Sequence, residues 1–450
     1  MDEGGNEQND SHVVDRDGTV DPVVEQDGQN VLQAVSDDGR VLYFGSSRDG
    51  QMNVYRHNRD TGDTTKLTEY ERAVISATLS PDEERVAFAT NEADDFENQD
   101  VYVMDADGSN PRNLELGETG AEASPVDFSP DGSTLLVSDN STDFGRAGVY
   151  DFDTGEVTWY GSDSDESPVA FLNDGKRFLV HRTRDAAVVP VVYNLDGSSR
   201  ELNLSEGFAR FSARGTTQID DHRLLVSHTT PSTRPDLLVY DLTDDTTDTL
   251  LAADYGPFSP DDFTDADFFT FESNGVPETR QAAIEYAPYD TLEIEGLLYD
   301  SGERPSPLIV NPHGGPRAAD YRRFDLYTQF LVSRGFSVLQ VNYRGSTGRG
   351  REFVAELYDD WGGAEQGDVA VGTEYSLAEN DFLDPDRVVV FGGSYGGYSA
   401  YWQTLQDPGL HAPGLAGVGL ADPQRVYGTM RPHFRTPVMG KRLGTPRGKP

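Results

Sequence analysis

Short runs of alternating apolar and polar residues, separated by turns rich in Asp, Ser and Gly, fill about the first 250 residues. A typical unit places Ser36-Asp37-Asp38-Gly39 before an apolar run at 41–44. Similar turns recur every 43–49 residues, at 80–82, 129–132, 173–175 and 220–221. The alternation predicts β-strands, and Asp-Gly predicts tight turns because glycine tolerates a positive φ.

A second motif keeps phase with these turns. Each repeat contains a Val-Tyr pair, at the following positions: Val54-Tyr55, Val101-Tyr102, Val149-Tyr150, Val192-Tyr193 and Val239-Tyr240. Four-stranded propeller blades of the TolB or WD40 type repeat about every 40–50 residues, whereas a β-sandwich needs no fixed period. Residues 10–18 align with residues 100–108, with His12 at the tyrosine position. We therefore predict an incomplete β-propeller over residues 1–272 that begins in the middle of a blade.

Strand and helix patterns alternate from about residue 280. The predicted strands are 292–299, 308–310, 336–341, 388–391 and 416–421, and the predicted helices are 324–333, 352–378 and 398–405. Such alternation predicts a mostly parallel, doubly wound sheet. We assign residues 280–450 to this second domain.

The charge balance excludes some partners. The chain carries 79 acidic and 36 basic residues, a formal charge of −43. An acidic surface argues against binding to nucleic acid or an anionic membrane, because both need basic contacts. Abundant carboxylates with few lysines resemble proteins of salt-loving archaea. We expect the fold to need roughly molar salt, which screens the repulsion between like charges.

The chain has no cysteine, so disulfides and zinc–thiolate sites are excluded. It has no apolar stretch of membrane-spanning length, and its acidic start, Met1-Asp2-Glu3-Gly4, is unlike a basic signal peptide. We therefore expect a cytoplasmic protein.

Gly392-Gly393-Ser394-Tyr395-Gly396 matches the G-x-S-x-G pattern of a nucleophile elbow. An apolar strand is predicted before it and a helix after it, which is the context that an elbow requires. Such a turn exposes the serine Oγ above the sheet edge, near the positive end of a helix. Ser394 is the predicted nucleophile of an acyl-transfer reaction.

A glycine-rich loop, Asn311-Pro312-His313-Gly314-Gly315-Pro316, follows a predicted buried strand. Loops of this kind supply one backbone N–H of an oxyanion hole, and the other comes from the residue after the nucleophile, here Tyr395. Gly315, or alternatively Gly314, is the predicted donor. His313 is predicted to support the loop by hydrogen bonding, and the chemistry needs no metal or cofactor.

The second domain resembles the prolyl oligopeptidase family, and in particular its acylaminoacyl-peptidase-like branch. The matching segments are His313-Gly314-Gly315-Pro316, residues 342–348, Trp361-Gly362-Gly363 with Asp368, and residues 392–398. Arg349 departs from the family pattern, where tyrosine is usual. The resemblance implies an α/β-hydrolase domain that follows a β-propeller, and a peptidase that acts on short or N-acylated peptides.

The acid and the histidine of a catalytic triad follow the nucleophile in this fold. Only 56 residues follow Ser394, and the family places both partners after two further strands, so neither fits at its family position. Asp422, His411 and His433 are weak local candidates; a strand-ending aspartate and surface-loop histidines are the simpler interpretation. Residues 423–450 contain no acid and seven Arg or Lys, which favours a chain truncated at both ends.

We therefore expect a serine peptidase that forms an acyl-enzyme on Ser394 and is inactive alone. Three alternatives stay open. The chain could be a non-catalytic propeller that binds peptides or proteins and retains a hydrolase remnant. It could be an esterase, or one half of a split enzyme whose Asp and His come from a neighbouring chain. The sequence determines neither peptide preference nor oligomeric state.

Overall fold

A computed structural model describes residues 8–92, 98–212, 217–278, 282–411, 413–431 and 435–443. The chain forms two compact units. The first contains Met1–Val180, Val192–Ser199 and Thr429–Pro450, and the second contains His181–Val191 and Arg200–Gly428.

The first unit consists of short antiparallel strands. Its described residues form a two-stranded sheet and three four-stranded sheets in sequence order. The strands are β1 (Ser11–Val14) and β2 (Val20–Val24); β3 (Asn30–Val35), β4 (Val41–Ser46), β5 (Asn53–Asn58) and β6 (Thr64–Lys66); β7 (Val74–Leu79), β8 (Arg85–Thr90), β9 (Asp100–Asp105) and β10 (Arg112–Asn113); β11 (Ser124–Phe128), β12 (Thr134–Asp139), β13 (Arg146–Asp151) and β14 (Val157–Tyr160).

Further strands continue this order. They are β15 (Asp165–Phe171), β16 (Arg177–Arg184), β17 (Ala187–Asn194) and β18 (Ser199–Glu201), then β19 (Phe208–Arg210), β20 (Arg223–Thr229), β21 (Asp236–Asp241) and β22 (Thr246–Leu251). The boundary between the units falls within β16 and β17. The predicted repeat is confirmed, because every turn motif precedes the second strand of a set and every Val-Tyr pair lies on the third.

The turn motif is held by a repeated set of hydrogen bonds. The Ser129 hydroxyl donates to the Asp131 carboxylate at 2.7 Å, and the Thr134 N–H donates to Ser129 Oγ at 3.0 Å. The Ser133 N–H also donates to Asp131, at 3.0 Å. Together these donors lower the pKa of Asp131 to about 2. Equivalent bonds recur in the turns at 36–41 and 80–85, so the sequence period reflects a repeated local structure.

A six-stranded sheet forms the core of the second unit. Its strands are β23 (Asp267–Ser273), β24 (Leu292–Tyr299), β25 (Ser306–Val310), β26 (Ser337–Asn342), β27 (Leu383–Gly393) and β28 (Gly414–Gly417), in the spatial order β23-β24-β26-β25-β27-β28. Strands β25 to β28 pair in parallel, and β24 pairs antiparallel with β23 and β26. The mostly parallel sheet is therefore as predicted.

Helices cover both faces of this sheet. They are α1 (Leu326–Ser333), α2 (Arg351–Ala355), α3 (Ala364–Glu379), α4 (Tyr395–Gln406) and α5 (Pro423–Thr429). One face buries Ile294, Val310 and Val341 together with Val369 of α3 and Ala400 of α4, while the other face packs against α1. None of the described helices is long and apolar enough to cross a membrane.

Three boundaries differ from the sequence-based expectation. The helix predicted over 352–378 is interrupted between α2 and α3, where Gly362 has a φ of +89°. The strand predicted over 416–421 ends at Gly417, because Val418 has a φ of +46°, which is incompatible with extended backbone. Strand β23 pairs with β24, so the α/β sheet already begins at Asp267, before the predicted end of the propeller at 272.

Candidate active site

Ser394 lies at the turn between β27 and α4, as the G-x-S-x-G pattern predicts. Its backbone has a φ of +55° and a ψ of −117°, a conformation that non-glycine residues rarely adopt. The turn is held by the Ser394 N–H, which donates to Gly417 O at 2.9 Å, and by the Tyr398 N–H, which donates to Ser394 O at 3.0 Å. The side chain of Ser394 is exposed at the carboxyl end of β27.

The glycines around Ser394 allow close approach of the backbone. A Cβ atom on Gly392 would lie 2.3 Å from Gly396 O, and a Cβ on Gly396 would lie 2.1 Å from Pro312 O. Both distances are far shorter than van der Waals contact. Only glycine therefore lets the elbow pack directly against the loop that contains Pro312.

This loop faces the elbow. A Cβ atom on Gly314 would lie 3.5 Å from Ser394 Cβ, so Gly314 is opposite the nucleophile candidate. Gly315 has a φ of +124°, which favours glycine. The Asn311 side chain donates to Phe391 O at 2.5 Å and ties the start of the loop to the strand that leads to Ser394. Backbone groups of the loop and the elbow thus meet at one edge of the sheet.

His313 lies within the loop and is buried. Its ring stacks on Tyr343 with a centroid separation of 4.2 Å. Its Nδ1 is 2.9 Å from Gly314 O, and its Nε2 is 2.9 Å from Ser346 Oγ. Burial lowers the pKa of His313 to about 4, so the ring is neutral near pH 7. Both ring nitrogens of His313 therefore contact residues in or beside the glycine loop.

A buried carboxylate behind the elbow was not predicted from the sequence. The hydroxyl of Tyr395 donates to Glu365 at 2.7 Å, and the N–H groups of Gly362 and Gly363 donate to Glu365 at 2.6 and 2.9 Å. Burial raises the pKa of Glu365 to about 7. Its position could have indicated this role, because Glu365 comes two residues after Trp361-Gly362-Gly363, in the first turn of α3.

A buried ion pair between Arg344 and Asp368 connects three segments of the second unit. Arg344 and Asp368 are both fully buried, and Arg344 Nε donates to Asp368 Oδ2 at 2.8 Å. Asp368 also accepts from the Ser273 hydroxyl at 2.6 Å and from the Arg344 N–H at 3.0 Å. The pair joins the end of β23, the segment after β26, and α3. The motif residues 342–348 and Asp368 are therefore structural neighbours.

The downstream triad candidates have other contacts. Asp422 is exposed and accepts a hydrogen bond from the Arg425 N–H at 3.0 Å, at the start of α5. His411 is fully buried, with Nε2 3.1 Å from Thr373 Oγ1, and burial lowers its pKa to about 3. The interpretation of His411 as a surface-loop residue was therefore wrong. His433 lies outside the described residues.

Ser394 Oγ has no hydrogen-bond partner in the ranges that the structure describes. Within the same ranges, no group of three or more His, Asp or Glu side chains could hold a metal ion. The observed features are thus an exposed serine on a strained turn, a facing glycine loop and a buried carboxylate behind them.

Two family models match the chain. A model described as "TolB beta propeller domain" covers residues 3–255, and one described as "Prolyl oligopeptidase family" covers residues 322–443, including the elbow. The propeller model spans more than half of the chain, which therefore contains a TolB-like β-propeller domain. Residues 322–443, which follow this propeller region, are similar to the hydrolase domain of the prolyl oligopeptidase family.

Curated relatives align over part of the chain. Dipeptidyl aminopeptidase BIII of Pseudoxanthomonas mexicana is 33% identical over 185 residues, which cover 38% of this chain and 27% of that protein. The human acylamino-acid-releasing enzyme is 36% identical over 126 residues, which cover 27% of this chain and 17% of that protein. The matched segments therefore span less than a third of either relative.

Solved structures share the fold over nearly the whole chain. A puromycin-hydrolyzing peptidase of Mycobacterium tuberculosis matches with a TM-score of 0.76 at 17% identity, over 97% of this chain and 69% of that chain. The acylaminoacyl peptidase of Pyrococcus horikoshii matches with a TM-score of 0.57 at 18% identity, over 97% of this chain and 76% of that chain. At these identities the likeness supports the fold alone.

Proposed function

We propose that this chain carries the acyl-transfer site of a serine peptidase, with Ser394 as the nucleophile. The observation that carries the proposal is the strained φ of +55° at Ser394, in a turn that packs against a glycine loop. Such strain persists only where the surrounding structure enforces it, and it is a recurring feature of functional sites. Here it exposes a hydroxyl opposite the backbone of Gly314.

The reaction follows from this arrangement. Ser394 Oγ attacks the substrate carbonyl carbon, and the carbonyl oxygen becomes an oxyanion. The N–H of Tyr395 and that of Gly315, or alternatively Gly314, stabilise this charge. Collapse of the intermediate expels the amine and leaves an ester on Ser394, which water then hydrolyses. His313 supports the loop and is not the base, because its nitrogens contact Gly314 and Ser346.

The serine proton needs an acceptor. Neither Asp422 nor His411 contacts Ser394 in the described residues, so we propose that the base comes from elsewhere. The possible sources are His433, which lies outside the described residues, a further segment and a neighbouring chain. In the part of the chain that the structure describes, β28 pairs only with β27 and exposes Leu415 at 58%, and this open sheet edge favours an added segment. Tyr401 and Leu405 of α4 are exposed as well.

We propose short or N-acylated peptides as substrates. The support is the similarity of residues 322–443 to the prolyl oligopeptidase family, together with the names of the relatives, which include an acylamino-acid-releasing enzyme and a dipeptidyl aminopeptidase. The acyl-transfer geometry alone fits esters equally well. A formal charge of −43 further suits a salt-rich cytoplasm, where counter-ions screen the carboxylates.

A fluorophosphonate probe in about 2 M KCl tests the proposal, because it labels activated serines. We expect labelling of Ser394, found by peptide mapping and lost in Ser394→Ala. The matched control is Ser333→Ala, which changes an exposed serine on α1. Labelling of the chain alone places the base within it, and labelling only after addition of the neighbouring gene product supports a split enzyme. Failure to label under both conditions would contradict acyl transfer and favour a non-catalytic binding propeller.

The peptidase and esterase alternatives need a separate comparison. If the chain labels, hydrolysis of an acyl-alanine p-nitroanilide is measured beside the corresponding p-nitrophenyl ester. We expect both to be cleaved, because the ester is the more reactive acyl donor. Cleavage of the ester with no detectable cleavage of the anilide would contradict the peptidase assignment and support an esterase.

A further inference from the structure

Two arginines share one aromatic ring in the second unit. The guanidinium carbon of Arg210 lies 5.3 Å from the ring centroid of Phe208, and that of Arg323 lies 5.6 Å from the same centroid. The ring of Tyr321 packs against Phe208 with a centroid separation of 5.1 Å. Both guanidinium groups belong to exposed residues, whereas Phe208 is half-buried.

Neither arginine has a carboxylate within 4 Å among the described residues. Two other exposed arginines do have such partners, Arg223 with Asp220 at 2.6 Å and Arg304 with Asp300 at 2.6 Å. Arg210 and Arg323 thus share one ring without a carboxylate partner in the described part of a chain that has 79 acidic residues. A bound anion would supply the missing countercharge.

The position of the pair relates it to the candidate active site. Arg323 lies at the end of the segment that follows the glycine loop. Hydrogen bonds attach this segment to the sheet. Along this segment, the Thr347 N–H donates to Ala318 O at 3.0 Å, and the Asp320 N–H donates to the Asn342 side chain at 2.7 Å. Asn342 is the last residue of β26, and the parallel strands β25, β26 and β27 end at one sheet edge. Ser394 lies at that same edge.

We propose that Arg210 and Arg323 bind the C-terminal carboxylate of a short peptide substrate. This inference rests on the proposed function, because it assigns a substrate class to the same site. Guanidinium groups bind carboxylates through short charge-assisted hydrogen bonds, and the face of Phe208 restricts the guanidinium orientation. The pair then selects peptides with a free carboxyl end over internal segments of long chains.

The carboxylates nearest along the chain do not take this role. Asp320 lies three residues before Arg323. The positive charge of Arg323 lowers the pKa of Asp320, but burial raises this pKa by more. Asp325 accepts the Thr328 N–H at the start of α1. Both arginines therefore stay available to a ligand.

Binding of trialanine, as the free acid and as the C-terminal amide, tests the inference by calorimetry in about 1 M KCl. The protein is the full chain with Ser394→Ala, so no turnover is needed. We expect the acid to bind about tenfold more tightly than the amide, as one charge-assisted contact would give. Arg210→Gln and Arg323→Gln should each remove most of this difference and leave amide binding unchanged.

Arg334→Gln is the matched control. Arg334 stacks on Phe330 with a distance of 5.3 Å between its guanidinium carbon and the ring centroid, at the end of α1. This variant should keep the preference for the acid. Thermal melts of all variants confirm folding.

Equal binding of acid and amide, or no binding of either, would overturn the inference. So would competition by inorganic phosphate as strong as that of the acid, because this would indicate an unselective anion site. Preference for the acid without fluorophosphonate labelling would leave the carboxylate site intact and remove only the acyl-transfer proposal. Labelling of Ser394 with no preference for the acid would remove the carboxylate site and leave the acyl-transfer proposal intact.

Discussion

The hydroxyl of Tyr395 donates a 2.7 Å hydrogen bond to the buried carboxylate of Glu365. Tyr395 directly follows Ser394, so this bond connects the residue after the nucleophile candidate to the first turn of α3. The backbone N–H groups of Gly362 and Gly363 and the side chain of Gln366 also donate to Glu365. The elbow is therefore anchored from behind by a buried polar group.

Tyr395→Phe should destabilise the second unit by about 1–3 kcal/mol, because it removes one of the hydrogen bonds to a buried carboxyl group. Urea unfolding at constant KCl, followed by tyrosine and tryptophan fluorescence, measures the change. Tyr401→Phe is the matched control, since Tyr401 is exposed on the same helix. A change below about 0.5 kcal/mol for Tyr395→Phe would contradict an anchoring role for this bond.

Gly396→Ala should disrupt the contact between elbow and loop. The new methyl group would lie 2.1 Å from Pro312 O, so the backbone must shift, at a cost of about 1–3 kcal/mol or more. We expect a lower melting temperature and, where the wild type labels, loss of fluorophosphonate labelling. Gly428→Ala is the control, because its methyl group meets no atom within 4 Å. Unchanged stability of Gly396→Ala would show that the packing is looser than these distances indicate.

Asp320 should make stability depend on pH. Burial raises its pKa from 3.8 to about 7, and its side-chain Oδ2 is buried without a hydrogen-bond partner. The folded state thus holds a proton that the unfolded state releases above about pH 4, so the contribution of Asp320 to stability falls as the pH rises from 4 to 7.

Asparagine does not ionise, so Asp320→Asn removes this loss of stability as the pH rises. Between pH 4 and pH 7 we expect the free energy of unfolding of the variant to gain on the order of 2–4 kcal/mol relative to wild type. Urea unfolding of both proteins across this range, at fixed salt, measures the difference. Asp248→Asn on an exposed strand serves as the control. A difference between Asp320→Asn and wild type that stays constant with pH would exclude a raised pKa at this position.

Salt should stabilise the whole chain. With a formal charge of −43, repulsion between carboxylates is strong in dilute buffer and is screened over about 3 Å at 1 M. We expect the melting temperature to rise by several degrees or more between about 0.2 and 2 M KCl. Sodium chloride should act similarly if screening is the cause. A melting temperature that does not change with salt would contradict this explanation.

The sequence anticipated most of the fold because its signals are local. The blade turns depend on a serine and an aspartate two residues apart, which form the same hydrogen bonds wherever they recur. The elbow pattern is equally local, and strand β24 was predicted with its observed bounds. Local boundaries failed where a backbone dihedral angle intervened, as at Gly362 and Val418.

The contacts between distant segments could not be predicted in this way. Glu365 lies 30 residues before its partner Tyr395, and Arg323 is brought to Phe208 only by the fold. His411 appeared to belong to a surface loop, yet packing against Thr373 buries it completely. Such partners are chosen by the arrangement of helices and strands, which sequence spacing does not encode.

The sequence by itself determined the repeat, the mostly parallel sheet and the strand–turn–helix around Ser394, because each depends on residue patterns within a few positions. Only the tertiary structure decided which backbone atoms face Ser394, that both nitrogens of His313 are engaged beside the glycine loop, and that a carboxylate lies behind Tyr395. Those relationships depend on burial and on contacts between separate segments. The same contacts set the pKa values and the charge around the candidate site.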